Sequence, residues 1–136
     1  PAHLSAGDPR LVQHGAHQAT VEFLESWTRR RWGPMAALTA LQMGKSVTPV
    51  QVKADYAGEG LDDFRIDEVM EQSAAISHVH ATLTINGETF HPALRWIFQG
   101  QQGDTKIPGH EQGSWKLLWW GSAHMKRDAP AEDEFG

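Results

Sequence analysis

Apolar residues in the first quarter of the chain recur every three or four positions, which is the spacing of one face of an α-helix. The positions are Val12, Ala16, Ala19, Phe23 and Trp27. Asp8 suits the N-cap, Pro9 suits the first turn, and Gly33-Pro34 suits the end of a helix. The pattern predicts a long first helix between Asp8 and Gly33.

Two shorter helices are predicted next. Met35, Leu38 and Leu41 have the spacing of a short helix. Thr48-Pro49 combines an N-cap residue with a proline at the first helical position, and Gly58 suits the end of that helix. Three helices are therefore predicted ahead of any strand.

Alternating polar and apolar residues replace the helical spacing after Gly60. Phe64 and Ile66 alternate with charged residues and predict a first strand that ends near Gln72. The dipeptide Asn86-Gly87 lies between two alternating segments and is preferred in two-residue β-hairpin turns of type I′. A long hairpin is therefore predicted around this turn.

This turn fixes which residues of the two strands face each other. On one face the predicted pairs are Ile85 with Glu88, Leu83 with Phe90, Val79 with Leu94 and Ser77 with Trp96; on the other they are Thr84 with Thr89, His80 with Ala93 and His78 with Arg95. The first face is consistently apolar, which supports this register. Pro92 lacks an amide donor, so we expect a bulge or an edge position there, with a register shift of one residue as one outcome.

The last predicted strand, residues 114–122, is apolar on both faces, which is typical of an inner strand of a sheet. Trp119 and Trp120 are adjacent, so they point to opposite faces and one of them lies outside the core. A homodimer contact is the favoured interpretation of that tryptophan. The glycine-rich residues 100–112 are predicted to form a flexible connection that can cover a pocket.

The chain is predicted to form one α+β domain over residues 8–125. Residues 1–7 are small and polar, and residues 126–136 are charged and contain proline, so both are predicted to be flexible tails. A chain of this length buries enough surface to hold a core without cross-links.

Composition excludes several classes of function. The 136 residues contain no cysteine, which rules out disulfides, thiolate metal sites and cysteine nucleophiles. The net charge of −5 and the lack of a basic stripe predict no nucleic-acid partner, and the short apolar runs predict no membrane partner. No cofactor is predicted. The cysteine-free composition favours the cytoplasm without excluding export.

The order of these elements resembles the NTF2-like superfamily, whose members include ketosteroid isomerases, SnoaL-like polyketide cyclases and limonene epoxide hydrolase. The likeness rests on Phe23-Leu24-Glu25-Ser26-Trp27, Trp32-Gly33-Pro34-Met35, residues 79–85 and Gly113-Ser114-Trp115-Lys116-Leu117. It implies a cone, also called cystatin-like, in which three N-terminal helices pack in the concave face of a curved antiparallel sheet of about four to five strands. It also implies a mostly apolar pocket and often a homodimer through the outer sheet face.

Catalytic members of that superfamily place a carboxylate or a histidine in the pocket beside a tyrosine donor. Tyr56, the only tyrosine, is adjacent to Asp55, and this pair is one candidate acid/base set. Ordinary helix residues are the favoured interpretation of both. His78 and His80 are further candidates for a general base, and Arg95 is a candidate for a hydrolase-like set with acidic residues of the first predicted strand.

A metal site is a second possibility on the same hairpin. His78, His80 and His91 share one predicted face, and three imidazoles on adjacent strands can hold a catalytic zinc ion. A wet surface or a dimer contact is the favoured interpretation, so no metal is predicted.

These observations leave three hypotheses about function. The first is a non-catalytic domain that binds a small apolar ligand or acts as a dimeric interaction module. The second is an isomerase or lyase of the SnoaL-like type that uses a pocket histidine or aspartate as base, and the third is a metal-dependent hydrolase. The predicted pocket lining is Phe23, Trp27, Trp96, Phe98, Trp115 and Trp119.

Overall fold

The computed structural model of the protein describes residues 2–118 and 121–129. Its helices are α1 (Gly15–Thr28), α2 (Trp32–Ala37), α3 (Pro49–Tyr56) and α4 (Ser122–Met125). Its strands are β1 (His3–Ser5), β2 (Leu61–Ser73), β3 (Ile76–Ile85), β4 (Glu88–Phe90), β5 (Ala93–Gln99) and β6 (Ser114–Leu117). The sheet is antiparallel in the order β1-β2-β3-β5-β6, with β4 paired to β3, which confirms the predicted α+β class. None of the described helices has both the length and the apolar character needed to cross a bilayer.

The hairpin has the register predicted from its turn. Asn86 and Gly87 both have left-handed backbone angles, with φ of 50° and 83°, as a type I′ turn requires. The seven predicted pairs from Ile85 with Glu88 to Ser77 with Trp96 are present. Thr82 was also predicted beside His91; the two are not paired in the ladder, but their side chains lie 3.2 Å apart. The register does not shift at Pro92, because the carbonyl of Pro92 still accepts a hydrogen bond from the amide of Ala81 at 3.1 Å. The ladder is interrupted at His91 and Pro92, where the amide of His91 donates to Asp128 at 2.9 Å, so the arm is divided into β4 and β5.

The first helix begins later than predicted. Its N-cap is His14, whose Nδ1 accepts a hydrogen bond from the amide of Ala16 at 3.1 Å and whose Nε2 lies 3.0 Å from a carboxylate oxygen of Glu71 on β2. Asp8 instead caps a local turn by accepting from the amide of Arg10 at 2.9 Å. Val12 therefore lies outside the helix and is 60% exposed.

The second and third helices differ in how well the sequence defines their ends. Gly33-Pro34 lies inside the first turn of α2 instead of ending α1, because a proline in a first turn needs no hydrogen-bond acceptor. In α3 the predicted cap is present, with Thr48 and Gln51 forming a reciprocal capping box.

Both edges of the sheet differ from the prediction. Residues 3–5, placed in a predicted tail, form β1 on the edge of β2, and Leu4 is only 3% exposed. Strand β6 is last in the strand order, so it is not an inner strand, and it ends at Leu117. Its outer edge meets the chain after α2, where Ala40 donates to the carbonyl of Leu117 at 3.0 Å. Trp119 and Trp120 lie outside the described residues, as does most of the predicted C-terminal tail.

The core lies between one sheet face and α1. The inward residues of β3 and β5 are buried and belong to one cluster with α1 and α3. Trp27 packs edge-on against Tyr56 with ring centroids 4.8 Å apart, and Phe23 packs edge-on against Trp96 at 6.4 Å. Aromatic side chains therefore fill the space between the helices and the sheet.

Candidate binding cleft

A cleft with a volume of about 1300 Å³ lies beside the core. One wall is the segment from Gly33 to Pro49, which contains α2 and the connection to α3. The opposite wall is formed by the end of β5, the loop after it and the start of β6. The glycine-rich loop, which the sequence predicted as a connection able to cover a pocket, therefore lines this cleft.

The first wall ends in a tight turn. Gln42 and Lys45 exchange two backbone hydrogen bonds of 2.7 and 2.9 Å around Met43-Gly44, both of which have left-handed backbone angles. Left-handed conformation is unfavourable for methionine, and the Met43 side chain at the tip is fully exposed. The turn thus presents an apolar side chain to solvent next to the cleft.

The charges in the second wall neutralise each other. Lys106 Nζ lies 2.8 Å from a carboxylate oxygen of Asp104 and 3.4 Å from one of Glu111. The hydrogen bond from Lys106 lowers the pKa of Asp104 below its usual value, and the same bond raises the pKa of Lys106. Lys116 in the cleft donates to the carbonyl of Ala37 at the end of α2. The lysines of the cleft therefore already have partners.

Glycines let the walls approach each other closely. A β-carbon at Gly113 would lie 2.7 Å from the carbonyl oxygen of Gln99 and 2.8 Å from the ring of Phe98. A β-carbon at Gly103 would lie 2.9 Å from the side chain of Leu41 on the opposite wall. By contrast, a β-carbon at Gly33 would have no atom within 4 Å. The two walls are thus close together where Gly103 meets Leu41, and the cleft is open beside Gly33.

Polar uncharged groups and exposed apolar side chains complete the site. The lining includes the carboxamides of Gln99, Gln101, Gln102 and Gln112 and the hydroxyls of Thr39, Ser46 and Ser114. Four large apolar side chains are exposed among the described residues. Two of them, Met43 and Ile107, belong to the segments that form the two walls, and Val50 directly follows the first wall. The site can therefore offer both amide hydrogen bonds and apolar contacts.

The sequence did not single out this cleft. Its glutamines and the turn at Met43 carry no motif. Of the predicted pocket residues that the structure describes, only Phe98 lines it. The available signal was the long glycine-rich loop between β5 and β6, since long ordered loops are often functional.

The other predicted pocket residues occupy the core or its border. Phe23, Trp27 and Trp96 are 0–1% exposed. Trp115 is half-buried, packs edge-on against Phe98 with centroids 5.4 Å apart, and lies against Gly15. Trp119 lies outside the described residues.

Asp55 and Tyr56 hold the chain that follows β6. Asp55 Oδ2 accepts a hydrogen bond from the amide of Ser122 at 2.8 Å, and the Tyr56 hydroxyl accepts one from the amide of Gly121 at 2.9 Å. Burial raises the pKa of Tyr56 above its usual value, so its hydroxyl stays protonated. The two residues act together as a latch between α3 and α4.

The latch predicts a loss of stability when Asp55 is removed. Asp55→Ala leaves the amide of Ser122 and the start of α4 uncapped, so we expect a loss of about 1–2 kcal/mol in the free energy of unfolding. Urea denaturation measures it, with Asp63→Ala on exposed β2 as control. Equal stability of the two variants would contradict a latch.

The candidate histidines lie on the outer sheet face, away from α1. His78 is 3% exposed and its Nε2 lies 2.7 Å from Gln72 Oε1, whereas His80 Nδ1 lies 3.8 Å from Glu68 Oε1. His91 Nδ1 lies 3.2 Å from the hydroxyl of Thr82. Within the described ranges, no group of three or more histidine, aspartate or glutamate side chains is arranged to hold a metal ion.

The burial of His78 makes stability depend on pH. Desolvation first, then the charge of Arg95 and the proximity of His80, lower the pKa of His78 from 6.5 to about 4. The unfolded chain therefore binds a proton between pH 6.5 and 4 that the folded chain does not, so stability falls as the pH falls through this range, by at most about 3 kcal/mol. Urea midpoints at pH 7 and 4 should differ less for His78→Gln than for the wild type. A control, His110→Gln in the exposed loop, should keep the wild-type difference; an unchanged difference in His78→Gln would contradict the assignment.

No protein-family model matches the chain, and no curated protein or solved structure is significantly similar to it. The resemblance to the NTF2-like superfamily therefore stays a prediction.

Proposed function

We propose that the chain is a non-catalytic binding domain of the NTF2-like type, and that its cleft holds an extended, uncharged polypeptide segment of a partner. The observation that carries this proposal is the combination of a cleft of about 1300 Å³ with a lining of carboxamides and mutually paired charges. The homodimer predicted through the outer sheet face is a separate proposal.

Packing of the core supports a binding domain over an isomerase. An isomerase of the NTF2-like type would keep an open pocket between helices and sheet, with an inward acid or base and a facing donor. Here Phe23, Trp27 and Trp96 fill that space. Asp55 and Tyr56 are engaged with the backbone of residues 121–122.

The lining of the cleft supports a polypeptide as the ligand. A glutamine side chain carries the same donor and acceptor groups as a peptide bond, so the four carboxamides can pair with an extended backbone. The volume also exceeds the roughly 300–1,000 Å³ of ordinary small-molecule pockets. We therefore propose a polar ligand in place of the small apolar ligand expected from the sequence.

Charge and apolar contacts refine the ligand class. Lys106 is neutralised by Asp104 and Glu111, so a charged segment would have to break these pairs. Exposed Met43 and Ile107 suit apolar side chains at the ends of the segment. We expect a neutral sequence with polar residues in the middle and apolar residues outside.

Peptide selection tests this proposal. The protein is immobilised and a phage library of random peptides is selected against it, and enriched peptides are synthesised and titrated by calorimetry. We expect neutral peptides with micromolar dissociation constants, typical of weak interaction modules. Failure to enrich any peptide, or enrichment of peptides whose binding ignores changes in the cleft, would overturn the proposal.

A further inference from the structure

Arg95 on β5 carries a charge that no described residue neutralises. Its neighbour Trp96 points into the core, so Arg95 points to the outer sheet face, directly opposite His78 of β3. The side chain is half-buried, and its Nε is buried without a hydrogen-bond partner. Within residues 2–118 and 121–129, its guanidinium takes part in no ion pair shorter than 4 Å.

Among the described residues, no carboxylate pairs with Arg95, and the composition of the strands around it explains why. The three strands concerned, β3, β5 and β6, contain no aspartate or glutamate. Glu68 on β2 is two strands away and lies 2.5 Å from His3 and 3.8 Å from His80. Asp128, near the other end of β5, accepts a hydrogen bond from the amide of His91 at 2.9 Å.

The Nε–H group of Arg95 is withdrawn from water without an acceptor, which is unfavourable, and partly buried charges are normally paired. We propose that Arg95, with His78 beside it, forms a binding site for a single carboxylate group on the outer sheet face. The planar guanidinium suits a carboxylate, which it can hold with two parallel hydrogen bonds. This site is separate from the proposed cleft, and each can fail without the other.

The charge of the site favours a monoanion. His78 is neutral near pH 7, because its pKa is lowered to about 4. The positions two residues before and after Arg95 on the same face, Ala93 and Ile97, are apolar and 7% and 9% exposed. Strand β5 contains no charged residue besides Arg95, and Lys116 on the neighbouring strand already donates to the carbonyl of Ala37. One guanidinium therefore matches one carboxylate better than a doubly charged phosphate.

Two sources of the carboxylate are within reach. One is an external ligand or protein, and the other is the chain itself, whose sequence has Glu132, Asp133 and Glu134 near its end. The amide of Ala129 donates to the carbonyl of His91 at 2.7 Å, four residues before Arg95.

The pKa of His78 reports whether a carboxylate is bound. An anion beside Arg95 offsets the repulsion that the guanidinium exerts on a protonated His78, so it raises that pKa. We would measure it by NMR in the full chain and in the tail-neutral variant (Glu132→Gln, Asp133→Asn, Glu134→Gln), with sodium acetate or sodium chloride at equal ionic strength.

We expect acetate, and not chloride, to raise the pKa of His78 saturably in the tail-neutral variant. Arg95→Gln in that background should raise the apparent dissociation constant of acetate at least about ten-fold, as loss of a charged hydrogen-bond pair does. Arg95→Lys keeps the charge, so it should raise this constant less. The Lys variant also shows that the fold tolerates a change at this position. If the wild type responds less than the tail-neutral variant, the chain supplies its own carboxylate; if both respond equally, the ligand is external. If acetate acts like chloride in both proteins, the proposal is overturned.

Discussion

Gly33→Trp is expected to reduce the affinity for a cleft-binding peptide by about 100-fold, which is the effect of losing a central binding contact. Gly33 lies in α2 on the open side of the cleft, and a β-carbon there meets no atom within 4 Å. A tryptophan at this position therefore occupies the cleft without disturbing the fold. Replacing a glycine in a helix also raises the free energy of unfolding by up to about 1 kcal/mol through helix propensity, so stability should not fall.

Gly58→Trp is the matched control for this experiment. Gly58 is also an exposed glycine whose β-carbon would meet no atom within 4 Å, and its backbone is not in the left-handed region, but it does not line the cleft. Calorimetric titration of both variants with one selected peptide should show loss of affinity only for Gly33→Trp. Equal affinity of the two variants would place the peptide elsewhere on the surface.

Trp27→Ala is expected to lower the free energy of unfolding by about 4–5 kcal/mol, near the upper end of the range for large-to-small changes in a core. Trp27 is 1% exposed, packs on Tyr56, and donates from Nε1 to the carbonyl of Glu59 at 2.8 Å. The substitution creates a cavity and leaves that carbonyl without its partner. Because small domains are stable by only about 5–15 kcal/mol, much of the variant should be unfolded in mild urea.

Trp32→Ala separates the effect of burial from that of losing a tryptophan. Trp32 is only partly buried, and its ring lies 5.1 Å from the guanidinium of Arg30. We expect a loss of about 1 kcal/mol for this variant in the same urea denaturation experiment. A similarly small loss for Trp27→Ala would mean that the space between helices and sheet is an open pocket, as an isomerase of the NTF2-like type requires.

The pairing of the hairpin was predictable because it depends on local chemistry. Asn86-Gly87 selects a two-residue turn, and the turn sets every pair up to Ser77 with Trp96. The cap of α3 at Thr48 was predictable for the same reason. In each case the residues that decide the structure are close in sequence.

Elements fixed by distant contacts were not predictable. His14 replaces Asp8 as the cap of α1 and also contacts Glu71, a residue of β2 that no pattern near His14 reveals. Strand β1 exists because Leu4 can bury itself beside Val69. Local propensity contains no information about such partners.

In the candidate site, too, features that depend on residue type were predictable and features that depend on distant contacts were not. Asp55 and Tyr56 were singled out by residue type, but their role in holding residues 121–122 follows from the path of the chain after β6. The cleft depends on the approach of Leu41 to Gly103, which are far apart in sequence. Phe23, Trp27 and Trp96, which were expected to line a pocket, are buried and pack edge-on against other rings of the core.

The most direct test of the proposed binding site is an NMR titration of the uniformly ¹⁵N-labelled protein with a selected peptide. Amide shifts should be confined to residues 33–49 and 98–116, which contain the walls of the cleft and the loop that carries Ile107. Amides of α1 around Phe23 and Trp27, and those around His78, should not shift. Shifts centred on these core residues or on the outer sheet face, with the cleft unaffected, would contradict the proposal.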